Sequence, residues 1–423
     1  MAEILAFRGL RYDQTKVALK DVVAPPYDVI SLSYQNELYD RDPYNVIRLI
    51  LGRSSDRYQE AAMCLGQWRE AGILTRDQEP AVYVLAQRFE SPNIQTERIG
   101  FIAACRLEEF GTGIILPHEK THSKPKADRL SLMQSTHTNF SQIFALYSDL
   151  SGDVEQTLRT TMESPPILDV KFEGVDNRLW RLSDSSSISQ IGRTLDDTPV
   201  LIADGHHRYE TALAYRDLMR LRKKGISGKE PFNYTMMFFA DMSSGGLVIL
   251  PTHRLIHGLP EFDETAFVHQ LDQEFSIQRE SSESNLVSSL AASGPFSFGL
   301  VTPGLRAIIH LKRRESVAQL IPGVPDQVRE LDVALLHLYV LEQLLGISSS
   351  AQEMKANLEY VKETDEAFDA VRRGNAQIAF LMNPTKIEQV RSIAQAGHTM
   401  PQKSTFFYPK LVTGLVMNSL EEE

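Results

Sequence analysis

The stretch Thr198–Gly225, TPVLIADGHHRYETALAYRDLMRLRKKG, admits few local structures. Pro199–Ala203 is a short apolar run with the length of a buried strand. Asp204 and Gly205 break it, and glycine is the residue a tight reversal tolerates best. From His206 the apolar period becomes helical: Ala214, Leu218 and Leu221 share one face, with Tyr215 and Met219 beside them. Arg220, Arg222, Lys223 and Lys224 crowd the far end, where cations suit the helix dipole, and Gly225 is a natural stop. The prediction is strand, tight turn, long helix.

The turn carries Asp204, Gly205, His206, His207 and Arg208 in succession. Free N–H groups at a helix start, a glycine that permits close approach and an adjacent guanidinium make an anion site, and phosphate is the expected anion. Histidines and an arginine at the positive end of a helix are electrostatically misplaced unless something negative binds there. Asp204 would repel a bare phosphate. It suits a bridging Mg²⁺, or a substrate amine or hydroxyl.

A second dense stretch is GTGIILPHEKTHSKPKADRLSLM at 111–133. His118-Glu119-Lys120-Thr121-His122 fits the HExxH zinc pattern, which needs a helix to bring both histidines to one face. Pro117 and Pro125 flank it and no apolar stripe supports a helix, so a loop is predicted and zinc is not. Glu119 is the lone carboxylate between His118 and Lys126, which suits a general base. His118, Lys120, Lys124 and Lys126 are candidates for phosphate contacts. A third cluster, Lys403, Ser404, Thr405 and Lys410, lies in an extended segment, without the glycines of a Walker loop. Tyr27 and Asp28 follow two prolines that fix the backbone of VVAPPYDVI.

The chain of 423 residues exceeds one core, so more than one domain is expected. Residues 1–80 read as an N-terminal segment packed on a core at 81–260, and 261–423 as a helix-rich C-terminal α/β domain. Within them, 42–52 reads as a strand, Ala81–Phe89 with Glu97–Arg106 as a hairpin, 150–197 as linker with a strand or two, and Tyr234–Asp241 as a central strand. The net charge of −11 argues against general nucleic-acid or anionic-membrane binding. Two distant cysteines, Cys64 and Cys105, fit a reducing cytoplasm, and no signal peptide or membrane-length apolar run is read.

APPYDVI, LPHEKTHSKPKADR, ADGHHRYETAL and MPQKSTFFYPKLVTGL, in this order, resemble the signature of a large prokaryotic family of uncharacterised proteins. The ADGHHR turn also resembles, more distantly, the ParB/sulfiredoxin-like domain and its free-serine kinases. Histidine stands where sulfiredoxin carries its cysteine, so sulfiredoxin chemistry is not implied. The resemblance implies an α/β to α+β fold with a ParB/sulfiredoxin-like mixed-sheet core. It implies a kinase acting on a free amino-acid hydroxyl, L-serine to O-phospho-L-serine, with ATP, ADP or pyrophosphate as donor and Mg²⁺. Asp204, His206, His207 and Arg208 would then be catalytic with Glu119, and Asp204 the metal ligand. The alternative is a nucleotide- or amino-acid-binding regulator without turnover. The expected partner is a small-molecule substrate, and a homodimer is compatible with it.

Overall fold

The computed structural model describes residues 1–91, 94–119, 123–196 and 198–421, with only the backbone at 94 and 123–125. Two units divide the chain. One comprises Met1–Pro117, Thr121–Val248 and Pro409–Glu423; the other comprises His118–Lys120 and Ile249–Tyr408. The N-terminal segment shares a unit with the central sheet, and residues 409–421 belong there too.

The first unit is built on a large mixed sheet. Its strands run Ile115–Leu116, Val200–Asp204, Ile143–Tyr147, Tyr234–Asp241, Ile94–Arg106, Val82–Ser91, Val175–Leu182 and Leu168–Phe172, with Ile4–Leu5 also paired to Ile94–Arg106. Two neighbouring pairs are parallel, Val200–Asp204 with Ile115–Leu116 and Tyr234–Asp241 with Ile143–Tyr147. Tyr234–Asp241 is buried along its whole length, which explains its unbroken apolar run: both faces are covered. On one face, helices Asp153–Met162, Ser185–Asp196 and His206–Arg222 bring Val154, Leu158, Ile191, Leu195 and Tyr209 onto Val84, Phe101, Ala145, Ile202 and Phe239. Phe101 and Phe239 stack at 4.9 Å between ring centres, an arrangement that adds about 0.5–1.5 kcal/mol to simple burial.

Segments distant in sequence close this unit. Leu10 and Met417 exchange both backbone hydrogen bonds, at 2.8 and 3.0 Å, and Ala24 and Thr413 do the same at 3.2 and 2.8 Å. Leu415, Val416 and Met417 are wholly buried, so 411–417 is interior.

Three local expectations are corrected. Residues 42–52 hold a short helix, Ile47–Ile50, because buried Asn45 turns the chain: its Oδ1 accepts the Ile47 N–H at 2.9 Å and its Nδ2 donates to the Val23 carbonyl at 3.2 Å. The stretch 150–197 is packed structure. Asp149 Oδ2 accepts the Val154 N–H at 2.8 Å at the start of one helix, and Asp184 Oδ2 accepts the Ser187 N–H at 2.8 Å at the start of the next. The serine run is thus a helical first turn, where serine and aspartate are favoured. Ser123–Thr136 is a helix, and Pro125 is tolerated because the first turn has no i−4 carbonyl to satisfy.

The second unit holds a six-stranded antiparallel sheet in the order Phe275–Arg279, Arg306–Leu311, Ser297–Val301, Ile378–Leu381, His253–Ile256 and Leu358–Val361. Leu286, Leu290, Phe368 and Val371 from two helices pack on Ile308, Ala379 and Leu381. The helix Glu264–Glu274 ends where Phe275 begins a strand. Among the described residues no helix is long and apolar enough to cross a membrane.

Candidate functional site

The predicted strand, turn and helix are present as Val200–Asp204, Gly205 and His206–Arg222. Gly205 has φ 98° and ψ 28°, left-handed backbone that glycine adopts without strain. A Cβ there would lie 3.0 Å from the Arg208 guanidinium. The ladder to Ile143–Tyr147 shifts register between Ile202 and Asp204, which sets Asp204 opposite Phe144. Such irregularities at a strand end re-aim a side chain.

Asp204 sits among cations. Its Oδ2 is 2.6 Å from Arg208 Nη2, and its Oδ1 pairs with Lys410 Nζ. Arg208 Nη1 also donates to the Gln142 carbonyl. All three side chains are largely enclosed, at 13% exposure for Arg208, 15% for Lys410 and 17% for Asp204, so screening by water is weak. Arg98 lies wholly inside, its Nε donating to Gln87 Oε1 at 3.1 Å and its Nη2 to the Pro409 carbonyl at 2.6 Å. Its guanidinium carbon is 4.6 Å from the Phe144 ring centre. Burial lowers its pKa to about 9, and the charge of Asp204 works against that shift. One carboxylate therefore draws three cations at the positive end of a 17-residue helix.

Arg208 also lines a cavity of about 60 Å³ with Tyr27, Arg129, Thr138, Ser141 and Thr211. The Arg129 guanidinium lies 4.2 Å from the Tyr27 ring centre and donates to the Ile50 carbonyl at 2.7 Å. Burial and Asp28 raise the Tyr27 phenol, while Arg208 and Arg129 oppose them. The PPYD loop and the ADGHHR turn thus meet. Sequence reasoning missed Arg98, Arg129 and Ser141 as members of this region. Arg129 lay within the charged stretch it had singled out, but a stretch read as loop offers no face from which to choose it.

The remaining candidates are distributed as follows. His206 is buried and His207 half-buried. Lys126 pairs with Glu210 at 2.5 Å. In the second unit, His118 is fully buried with Nε2 3.0 Å from Thr405 Oγ1, and Glu119 Oε1 accepts the Lys403 N–H at 3.2 Å. Thr385 Oγ1 donates to the Ser404 carbonyl at 2.7 Å. Lys120 and His122 lie outside the described residues, as does the side chain of Lys124.

Glu119 forms a parallel bridge with Met400 and the helix begins only at Ser123, so His118 and Glu119 are not on a helix as a zincin site requires. Among the described residues no three His, Cys, Asp or Glu side chains group to hold a metal. Asp204 does not fit as a Mg²⁺ ligand in this arrangement, because both its oxygens face cations. A magnesium ion carried by donor phosphates needs no such protein cage.

A family profile described as "Protein of unknown function (DUF1015)" matches residues 4–334. The chain belongs to this family. Among curated proteins none matches the DUF1015 chain in sequence. Solved structures similar to it include a free serine kinase in complex with AMP, at 14% identity and TM-score 0.34, covering 69% of this chain and 83% of that one. A conserved hypothetical protein from Pyrococcus furiosus aligns at 13% identity and TM-score 0.35, covering 70% and 88%. SbnI with a C-terminal truncation, from Staphylococcus aureus, aligns at 10% identity and TM-score 0.38, covering 76% and 90%. Likeness this distant says nothing of what the DUF1015 chain does.

Proposed function

We propose that the first unit of this DUF1015 protein binds a phosphate-bearing small molecule at the Asp204–Arg208 turn and transfers a phosphoryl group to a free amino-acid hydroxyl. L-Serine is the first-choice acceptor, and ATP, ADP or pyrophosphate the donor. The carrying observation is the Asp204 carboxylate held between Arg208 and Lys410 at a helix start. Phosphoryl transfer needs fixed positive charge around the transferred oxygens more than it needs covalent chemistry. Arg208, Lys410 and the first N–H groups of the helix supply it. Asp204 occupies the place of an anion: an arriving phosphate competes for the same cations and frees the carboxylate to accept a hydrogen bond from the acceptor hydroxyl. Serine as acceptor rests on the resemblance of the turn, and the base role of Glu119 on its company in sequence.

Incubating the purified chain with L-serine, Mg²⁺ and each donor in turn, and following O-phospho-L-serine by mass spectrometry, tests the reading. Product with any one donor is expected. Saturable nucleotide binding without product would make the protein a nucleotide-binding regulator. No binding of any phosphorylated compound would remove the site.

A further inference from the structure

The second unit contains a cavity of about 410 Å³ that none of the candidate phosphate-handling residues lines. A nine-residue π-helix, Leu336–Leu344, forms one wall. Stretches of this geometry are rare and concentrate at functional sites. Its wider turn places residues five apart, such as His337 and Glu342, on one side; the Leu345 N–H correspondingly bonds the Val340 carbonyl at 3.0 Å. His337, Leu338 and Glu342 all line the cavity, with Glu353, Tyr360 and Met400 from neighbouring segments.

The floor is polar but already satisfied. His337 Nε2 accepts from buried Arg254 Nε at 3.1 Å, so the ring proton sits on Nδ1. Burial and the Arg254 charge hold His337 well below the usual histidine range, which keeps it neutral. Gln352 Nε2 is committed to the His337 and Ile347 carbonyls at 3.2 and 2.9 Å. What remains for a ligand is the half-buried Glu342, the exposed Glu353, the Tyr360 hydroxyl, the side chains of Ser349, His398 and Thr399, and apolar walls. Tyr360 has no hydrogen-bond partner among the described residues, and burial raises its pKa, so it is a neutral donor at physiological pH. No lysine or arginine lines the cavity among the described residues. A phosphate there would face Glu342 and Glu353, with Arg254 and Lys355 set back at 5.4 and 5.9 Å from the Tyr360 ring centre. An ammonium would find Glu342, and an apolar body would find Leu338 and Met400. The volume lies in the range of small-molecule pockets.

We infer that the second unit binds a small primary amine, an ammonium group on an apolar body, with Glu342 as its counter-charge and Leu338 and Met400 as its walls. None of the residues that line this cavity belongs to the Asp204–Arg208 turn, and the inference does not depend on the kinase reading.

Isothermal titration of the full chain tests it, with phenethylamine as probe, L-phenylalanine to ask whether an adjacent carboxylate is accepted, and AMP as the anionic contrast. Saturable phenethylamine binding is expected, weakened about tenfold or more in Glu342→Gln, since a hydrogen bond to a charged partner is lost. It should vanish in Leu338→Trp, which fills the cavity. Should Leu338→Trp fail to fold, Glu342→Gln decides alone. No saturable phenethylamine binding, equal binding to Glu342→Gln, or AMP or L-phenylalanine binding in place of the amine would overturn the inference. A failure of phosphoserine formation leaves it untouched.

Discussion

Asp204 and Lys410 stand 206 positions apart in the chain, and their side chains form an ion pair at the start of the helix His206–Arg222. The pairing joins two motifs that the sequence keeps separate. Lys410→Met keeps the length and apolar stem of the side chain and removes its charge. The affinity for pyrophosphate or nucleotide should fall by about 1.5–3 kcal/mol, the usual contribution of a charged hydrogen bond. Unchanged affinity by titration would detach Lys410 from the anion site.

Arg208→Ala should weaken the same ligands by about 1.5–3 kcal/mol and leave Asp204 with Lys410 as its remaining contact partner of the two. Gly205→Ala should reach the same site indirectly. The left-handed backbone at φ 98° costs a non-glycine residue about 1 kcal/mol or more, and the new Cβ would lie 3.0 Å from the Arg208 guanidinium. Both variants should bind phosphate ligands less tightly than the parent. A Gly205→Ala protein of parental melting temperature and affinity would contradict the strain and the crowding together.

Glu119→Gln separates charge from shape. A glutamine oxygen can still accept the Lys403 N–H that Glu119 Oε1 accepts at 3.2 Å, so the local fold should survive. With Glu119 as the acceptor-activating base, turnover should fall about 10²–10⁴-fold while donor affinity stays near parental. Near-parental turnover would end the assignment.

Burial pushes the Asp332 carboxyl up from 3.8 to about 6, against the Phe296 N–H at 2.6 Å and the charge of Lys386. The folded state thus holds the proton more tightly than the unfolded one. Its stabilising contribution is complete below about pH 4 and is lost as pH rises through about 6. Asp332→Asn keeps an acceptor for Phe296 and removes the ionisation. The variant should be about 1–2 kcal/mol more stable than the parent near pH 7.5, with the advantage gone near pH 4. A difference in melting temperature that does not vary with pH would refute this.

The elements legible in the sequence are those whose signal is local. Pro199–Ala203 followed by Asp-Gly and a helical period led directly to the turn, and the apolar run Tyr234–Asp241 led to the central strand, because length, breaker and period all lie within one window. The hairpin of Val82–Ser91 with Ile94–Arg106 was legible for the same reason. The helix after the serine run was hidden because its cap, Asp184, looks like one more loop residue. The burial of residues 411–417 was hidden because Leu10 and Ala24, which pair with Met417 and Thr413, are about four hundred residues away. The turn was visible as an anion site, but Arg98 was not. An arginine in a strand gives no sign of its neighbours until sheet order puts Phe144 beside it. The mixed α/β class came with the resemblance of the ADGHHR turn; the second unit's antiparallel sheet did not, since short strands between helices leave pairing direction open.

Backbone exchange between Leu10 and Met417 sets an order of events during synthesis. A ribosome delivers Asp204 and Arg208 long before Lys410, and it threads the whole of Ile249–Tyr408 in between. Until residues 409–421 emerge, the nascent first unit lacks Met417 and Thr413, with which Leu10 and Ala24 exchange backbone hydrogen bonds, and those peptide groups must stay in water. Chains that stop short of residue 410 can neither seal that interior nor assemble the full cation set around Asp204. The site around Asp204 is therefore completed only by the last residues of the chain to be made.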